Sequence, residues 1–134
     1  MRNTVLVAMV VALVLAEGNT KGHTYKRKIP CKTPANASSC YWAHGRLGFG
    51  NGTPAYRLWK IGTDRLLGIY SGPSVDRYGL DNENPEFPSE IQRRFDPLKN
   101  RIFADFEICP MEREREGVMQ AACIESAKNI VAQE

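Results

Sequence analysis

The chain has 134 residues, 43% of them hydrophobic, and 18 Lys+Arg against 15 Asp+Glu give a formal net charge of +3. That length holds one domain. The charge is too weak to specify a nucleic-acid partner, and none is expected.

Residues 1–16 read as a signal peptide. Arg2 supplies a short positive start, and Val5–Leu15 is an apolar run too short to span a bilayer. Val14 and Ala16 are the small residues a signal peptidase reads, so cleavage is expected after Ala16, with no transmembrane segment left behind. The expected localisation is therefore secreted or periplasmic. Residues 17–39 follow as a polar arm with a basic run, Lys26, Arg27, Lys28 and Lys32. Such a run is either solvated or lies against an anionic surface. The chain carries four cysteines, Cys31, Cys40, Cys109 and Cys123. An even count behind an export signal predicts two disulfides. Proximity in sequence favours Cys31–Cys40 and Cys109–Cys123. Asn36-Ala37-Ser38 and Asn51-Gly52-Thr53 match the N-glycosylation pattern.

Residues 40–134 are expected to form the single domain. It opens with a hairpin, Cys40–Ile61, whose two alternating runs flank Asn51-Gly52, the strongest short signal for a two-residue turn. With the turn centred there, Leu47 faces Tyr56, Gly45 faces Leu58 and His44 faces Trp59. Tyr41, Ala43, Leu47, Phe49, Tyr56 and Leu58 then share a core face. Trp42, His44, Arg46, Arg57, Trp59 and Ile61 share the other. This register sets Arg46 against Arg57, and like charges across a ribbon repel. An intervening carboxylate, a bound anion or a longer loop would each relieve it.

Gly45-Arg46-Leu47, Asn51-Gly52-Thr53-Pro54-Ala55 and the alternating Arg57-Leu58-Trp59 resemble the opening of transthyretin-like secreted domains. The resemblance covers about fifteen residues, and the spacer is one residue longer than usual. It implies a secreted β-sandwich and carries over no functional residue.

Arg65–Ser71 is a third strand candidate, followed by a long loop over Gly72–Ser89. A loop of that length is often functional. Residues 89–95 suit a short helix capped by Ser89 and stopped by Pro97. In Asn100–Cys109, Ile102, Ala104, Phe106 and Ile108 fall on one face and Arg101, Phe103, Asp105 and Glu107 on the other. The charged run ending at Gly117 reads as a turn, and Val118–Ile124 as a strand. A helical stripe over 118–133 is the alternative and would make the domain α+β. The expected fold is all-β, a small antiparallel β-sandwich.

The polar hairpin face is the candidate binding site: Trp42, His44, Arg46, Arg57 and Trp59. Aromatic rings beside guanidiniums hold anions, carboxylates or sugar rings. The expected function is a non-enzymatic exported binding or accessory module for an anionic or carbohydrate partner. One alternative is a small hydrolase using His44 with Asp105 or Glu107, although no G-x-S-x-G or H-E-x-x-H motif is present. Another is a structural or interaction protein working through an edge strand or the basic arm. No cofactor and no metal are expected. Cys31, Cys40, His44 and Cys109 match no common zinc spacing. Asp76, Asp81, Glu83 and Glu86, with Asn82 and Asn84, lack the order of a calcium loop. The glycines near the hairpin are not a phosphate loop.

Overall fold

Alternating side chains produce the strands. β1 spans Tyr41–Phe49, β2 Tyr56–Lys60, β3 Leu66–Ile69, β4 Arg101–Pro110 and β5 Gln120–Gln133; a short helix, α1, spans Ser89–Gln92. The computed structural model describes residues 26–76 and 84–134. The expected signal peptide lies outside the described residues, as do Asp81, Asn82 and Glu83 of the acidic loop.

The all-β expectation holds, and residues 120–133 are strand rather than helix. The sheet, however, closes on itself in the order β1-β2-β3-β5-β4 instead of splitting into two sandwich layers. β3 and β5 are parallel, and the other neighbours are antiparallel. This is a closed five-stranded barrel. Closure follows from β1 and β5 each serving two partners. β1 pairs with β2 over Gly45–Phe49 and with β4 over Tyr41–Leu47. β5 meets β3 over Gln120–Ala122 and β4 along most of its length. Gly45 sits at the bend of β1, where an added Cβ would lie 3.0 Å from the Trp59 carbonyl oxygen. Irregularities at Phe103/Asp105 and Glu107/Ile108 curl β4 against β5.

The inward rows meet on the barrel axis. Ile102, Ala104, Phe106 and Ile108 of β4 are wholly buried, packed with Leu47, Leu58, Leu67, Ile69 and Ile124. One barrel end is filled by Phe87, Ile91 and Phe95 from around α1, with Tyr56, Phe87 and Phe95 stacked edge to face. The helix is shorter than expected, and Pro88 rather than Ser89 takes its cap position. Glu90 and Arg94 bond the Ala127 amide and the Ile130 carbonyl, covering part of the β5 edge.

The hairpin loop is longer than two residues. The Gly50 amide donates to the Ala55 carbonyl across a loop that holds a cis Thr53-Pro54 bond, and Gly52 keeps a φ of 104°. Leu47 consequently faces Leu58, Arg46 faces Trp59, Gly48 faces Arg57 and Gly45 faces Lys60. The register is displaced by an even number of residues, so the alternation keeps its predicted sense, with Phe49 at the rim as the exception. The expected Arg46–Arg57 repulsion is relieved by the longer loop. The residues that carried the family resemblance form the end of β1, this loop and β2.

The cysteine pairing also differs from the expectation. The disulfides are Cys31–Cys123 and Cys40–Cys109. Cys109 and Cys123 are neighbours on β4 and β5, as a paired hairpin requires, but each joins the arm instead. The arm folds across that end of the barrel and brings Cys31 and Cys40 to the adjacent pair. Two such crosslinks are compatible with an exported small domain. Among the described residues, no helix is long and apolar enough to cross a membrane.

Two residues of the basic run, Arg27 and Lys32, anchor the arm to the protein itself, and the Lys32 ammonium meets a carboxylate. The Arg27 guanidinium donates to the carbonyls of Ile29, Ser71, Glu86 and Ile124. Glu86 accepts the Lys28 and Ile29 amides at 2.8 and 2.9 Å. Lys32 donates its amide to Glu125 and its ammonium to Glu107 at 2.7 Å. Gly72 admits the arm, since a Cβ there would lie 2.2 Å from the Pro30 carbonyl oxygen.

The Lys32 ammonium, and secondarily the Ser126 hydroxyl, hold the Glu107 carboxyl below the usual carboxylate range. A depressed carboxyl pKa stabilises the fold above its unfolded value, and the gain is lost as pH falls through the folded value. The stability difference between wild type and Glu107→Gln should therefore be constant above about pH 5 and shrink on acidification. Urea unfolding across that range measures it; a difference that grows toward acid would contradict the ion pair.

Candidate functional site

The outward rows of β2, β1 and β4 form one face. Cross-strand neighbours place Trp59, Arg46 and Phe103 in one row, and His44 with Asp105 in another. Between Arg57 and Arg101 lies Gly48, which has no side chain. An added Cβ at Gly48 would be 3.9 Å from Arg101 Cγ, so the position is a depression and not a tight packing point. The result is an open groove of about 220 Å³ lined by Arg46, Gly48, Phe49, Gly50, Arg57, Trp59, Leu66 and Arg101.

The three guanidiniums are held differently. Arg57 Nε donates to the Pro54 carbonyl at 3.0 Å and Nη2 to the Asn51 carbonyl at 2.7 Å, so it braces the loop with one edge. Arg46 lies over the Trp59 ring, 5.2 Å from its centroid, and the indole nitrogen is fixed by the Thr63 carbonyl at 2.8 Å. Neither Arg46 nor Arg101 makes a hydrogen bond or ion pair among the described residues. Of the carboxylates on the neighbouring outward rows, two are engaged elsewhere, while Glu134 at the chain's end shares a cavity wall with Arg101. Glu107 pairs with Lys32, and Asp105 pairs with His44.

The five predicted residues share a face but not a single site. Arg46, Arg57 and Trp59 gather in the groove. Trp42 lies four residues back along β1, about 13 Å at strand spacing. Its ring is 46% exposed and covered by the Lys128 ammonium at 4.3 Å. His44 lies between, 55% exposed, with Nδ1 2.9 Å from Asp105 Oδ1. Asn129 donates to the other Asp105 oxygen at 2.8 Å from a left-handed backbone with φ 55°. The Asn129 amide first, then the His44 ring, holds the Asp105 carboxyl below the usual range. An ionised Asp105 accepts from Nδ1, so that ring nitrogen carries a proton.

Sequence reasoning missed Gly48, Phe49 and Arg101 as site residues. Arg101 was legible as outward-facing, and the pairing of His44 with Asp105 considered from the sequence sets its strand beside β1, but the register that brings Arg101 to Gly48 was not legible. Phe49 was assigned to the core face. It sits at the barrel rim, 45% exposed, edge-on to Tyr56 at 5.2 Å.

Compared with known proteins, the chain matches no family model, no curated protein and no solved structure. The site must be read from its own chemistry. All four cysteines are in disulfides, which removes the thiolates of the zinc set considered above. Of the acidic-loop residues, Glu86 is committed to the arm. Among the described residues, no cluster of His, Cys, Asp and Glu is arranged to hold a metal.

Proposed function

We propose that the chain is an exported binding module whose groove takes the anionic group of a carboxylated, sulfated or phosphorylated ligand such as an acidic sugar. Arg46 and Arg101 supply charge-assisted hydrogen bonds, the free edge of Arg57 adds a third cation, and Phe49 and Trp59 line the part that meets the ligand's less polar body. The observation that carries this reading is a pair of uncommitted guanidiniums flanking a side-chain-free glycine.

Replacing Arg46 and Arg101 together by glutamine should cost about a hundredfold or more in affinity for an acidic glycan, because each charge-assisted bond contributes on the order of 1.5–3 kcal/mol. Isothermal titration against a glycan panel measures it. Unchanged affinity with an intact fold would remove the groove from the function.

A second reading is favoured by the His44–Asp105 geometry. An imidazole oriented by a carboxylate, with Nε2 turned to solvent, is equipped to take a proton from water. On that reading the module hydrolyses the ligand it holds. His44→Ala would then abolish turnover and leave binding in place.

A further inference from the structure

The structure assigns a second chemical property to the hairpin loop: we propose that Asn51-Gly52 is a self-modifying site at which Arg57 promotes conversion of Asn51 to an acidic residue. Asn51 and Gly52 are both exposed, and Gly52 has no side chain to obstruct attack by its own amide nitrogen. In the reaction, the Gly52 nitrogen gives up its proton to solvent base and attacks the Asn51 side-chain carbonyl carbon. The new N–C bond closes a five-membered succinimide, and the side-chain nitrogen leaves as ammonia. One water then opens the ring at either carbonyl, giving aspartate or isoaspartate.

The step limited by chemistry is loss of the Gly52 amide proton. The resulting negative charge is shared between that nitrogen and the carbonyl oxygen of the same peptide unit, which is the Asn51 oxygen. Arg57 Nη2 donates to that oxygen at 2.7 Å. The same nitrogen lies 2.8 Å from where a Cβ on Gly52 would stand. A fixed cation aimed at the atom where charge develops is the arrangement that stabilises such an anion. The other edge of the loop is also braced, since Arg57 Nε holds the Pro54 carbonyl and the Gly50 amide holds Ala55. The residue that braces the loop is thus the one placed to promote its change.

The consequence for the groove rests on the anion-binding reading above. The product places a carboxylate one residue from Gly50 and beside Arg57, both of which line the groove. An internal anion there competes for the guanidiniums that would otherwise take the ligand. The isoaspartate form also lengthens the main chain inside a loop closed by the Gly50–Ala55 hydrogen bond.

The test follows the full-length folded chain in mildly alkaline buffer, with peptide mapping that separates asparagine, aspartate and isoaspartate at position 51. The same chain in urea supplies the rate for an unstructured Asn-Gly. The expected result is several-fold faster conversion in the folded chain, slowed to the urea rate by Arg57→Gln and absent in Asn51→Gln. Folded conversion no faster than in urea, or unchanged in Arg57→Gln, would overturn the assignment. Because Arg57→Gln disturbs the loop brace, the folded-to-urea ratio of the unmutated chain stands as the independent measure. In a second arm, fresh and converted protein are titrated with inorganic sulfate. Weaker binding after conversion supports the link to the groove; equal binding overturns that link and leaves the chemistry standing.

Discussion

Replacing Cys31 and Cys123 together by alanine is expected to lower the unfolding free energy by about 3 kcal/mol, because with Cys40–Cys109 kept the bridge closes an effective loop of only roughly 23 residues. The bridge spans a sequence separation of 92, against 69 for Cys40–Cys109. It ties the arm to β5, and the arm in turn plugs Arg27 into the carbonyls of Ser71, Glu86 and Ile124. Without the bridge, the arm is held by its hydrogen bonds, the Lys32–Glu107 ion pair and the Cys40–Cys109 crosslink at its far end. Urea unfolding gives the free energy, and amide exchange at Lys28, Ile29 and Lys32 reports release of the arm. A loss below about 1 kcal/mol with those amides still protected would show that the arm is held by its hydrogen bonds rather than by the crosslink.

Gly48→Leu is expected to leave the barrel intact and reduce anion affinity by about tenfold or more, roughly 1.4 kcal/mol. The position is in a strand, its backbone is not left-handed, and the nearest atom to an added Cβ is the flexible Arg101 side chain at 3.9 Å. Glycine is a poor strand residue, so the substitution does not cost stability through the backbone. The new side chain occupies the groove between Arg57 and Arg101. Gly68→Ala is the opposite case. Its Cβ would lie 2.5 Å from Pro54 Cγ, so the hairpin loop must shift off β3. A stability loss on the order of 1–3 kcal/mol is expected there. If Gly48→Leu binds as well as wild type, the depression is not where the ligand sits.

Period-two alternation made the strands and their inner faces readable before any coordinates. The row Ile102, Ala104, Phe106 and Ile108 went to the core as its spacing required. Register was less legible, because the Asn51-Gly52 signal says that a turn is present and not how many residues it takes. The Gly50–Ala55 hydrogen bond closes a longer loop, yet the displacement is even and the alternation kept its sense. What local pattern could not convey was closure. Whether β4 lies beside β1 depends on long-range pairing, and so does the company Arg101 keeps. The disulfides were misread for the same reason. Sequence proximity joined Cys31 to Cys40, whereas the arm's route over the barrel end joins each to a different strand. Trp42 and His44 were rightly set on the outer face, but strand rise carries them away from the groove that Arg46, Arg57 and Trp59 share.

The most direct test of the groove is a nuclear magnetic resonance titration that follows the arginine Nε–H and tryptophan indole signals while an acidic monosaccharide is added. The account predicts saturable shifts at Arg46, Arg101 and Trp59, with the Trp42 indole nearly unmoved. Shifts that stay linear in ligand and spread evenly over the basic side chains, or that centre on Trp42 and Lys128, would contradict it.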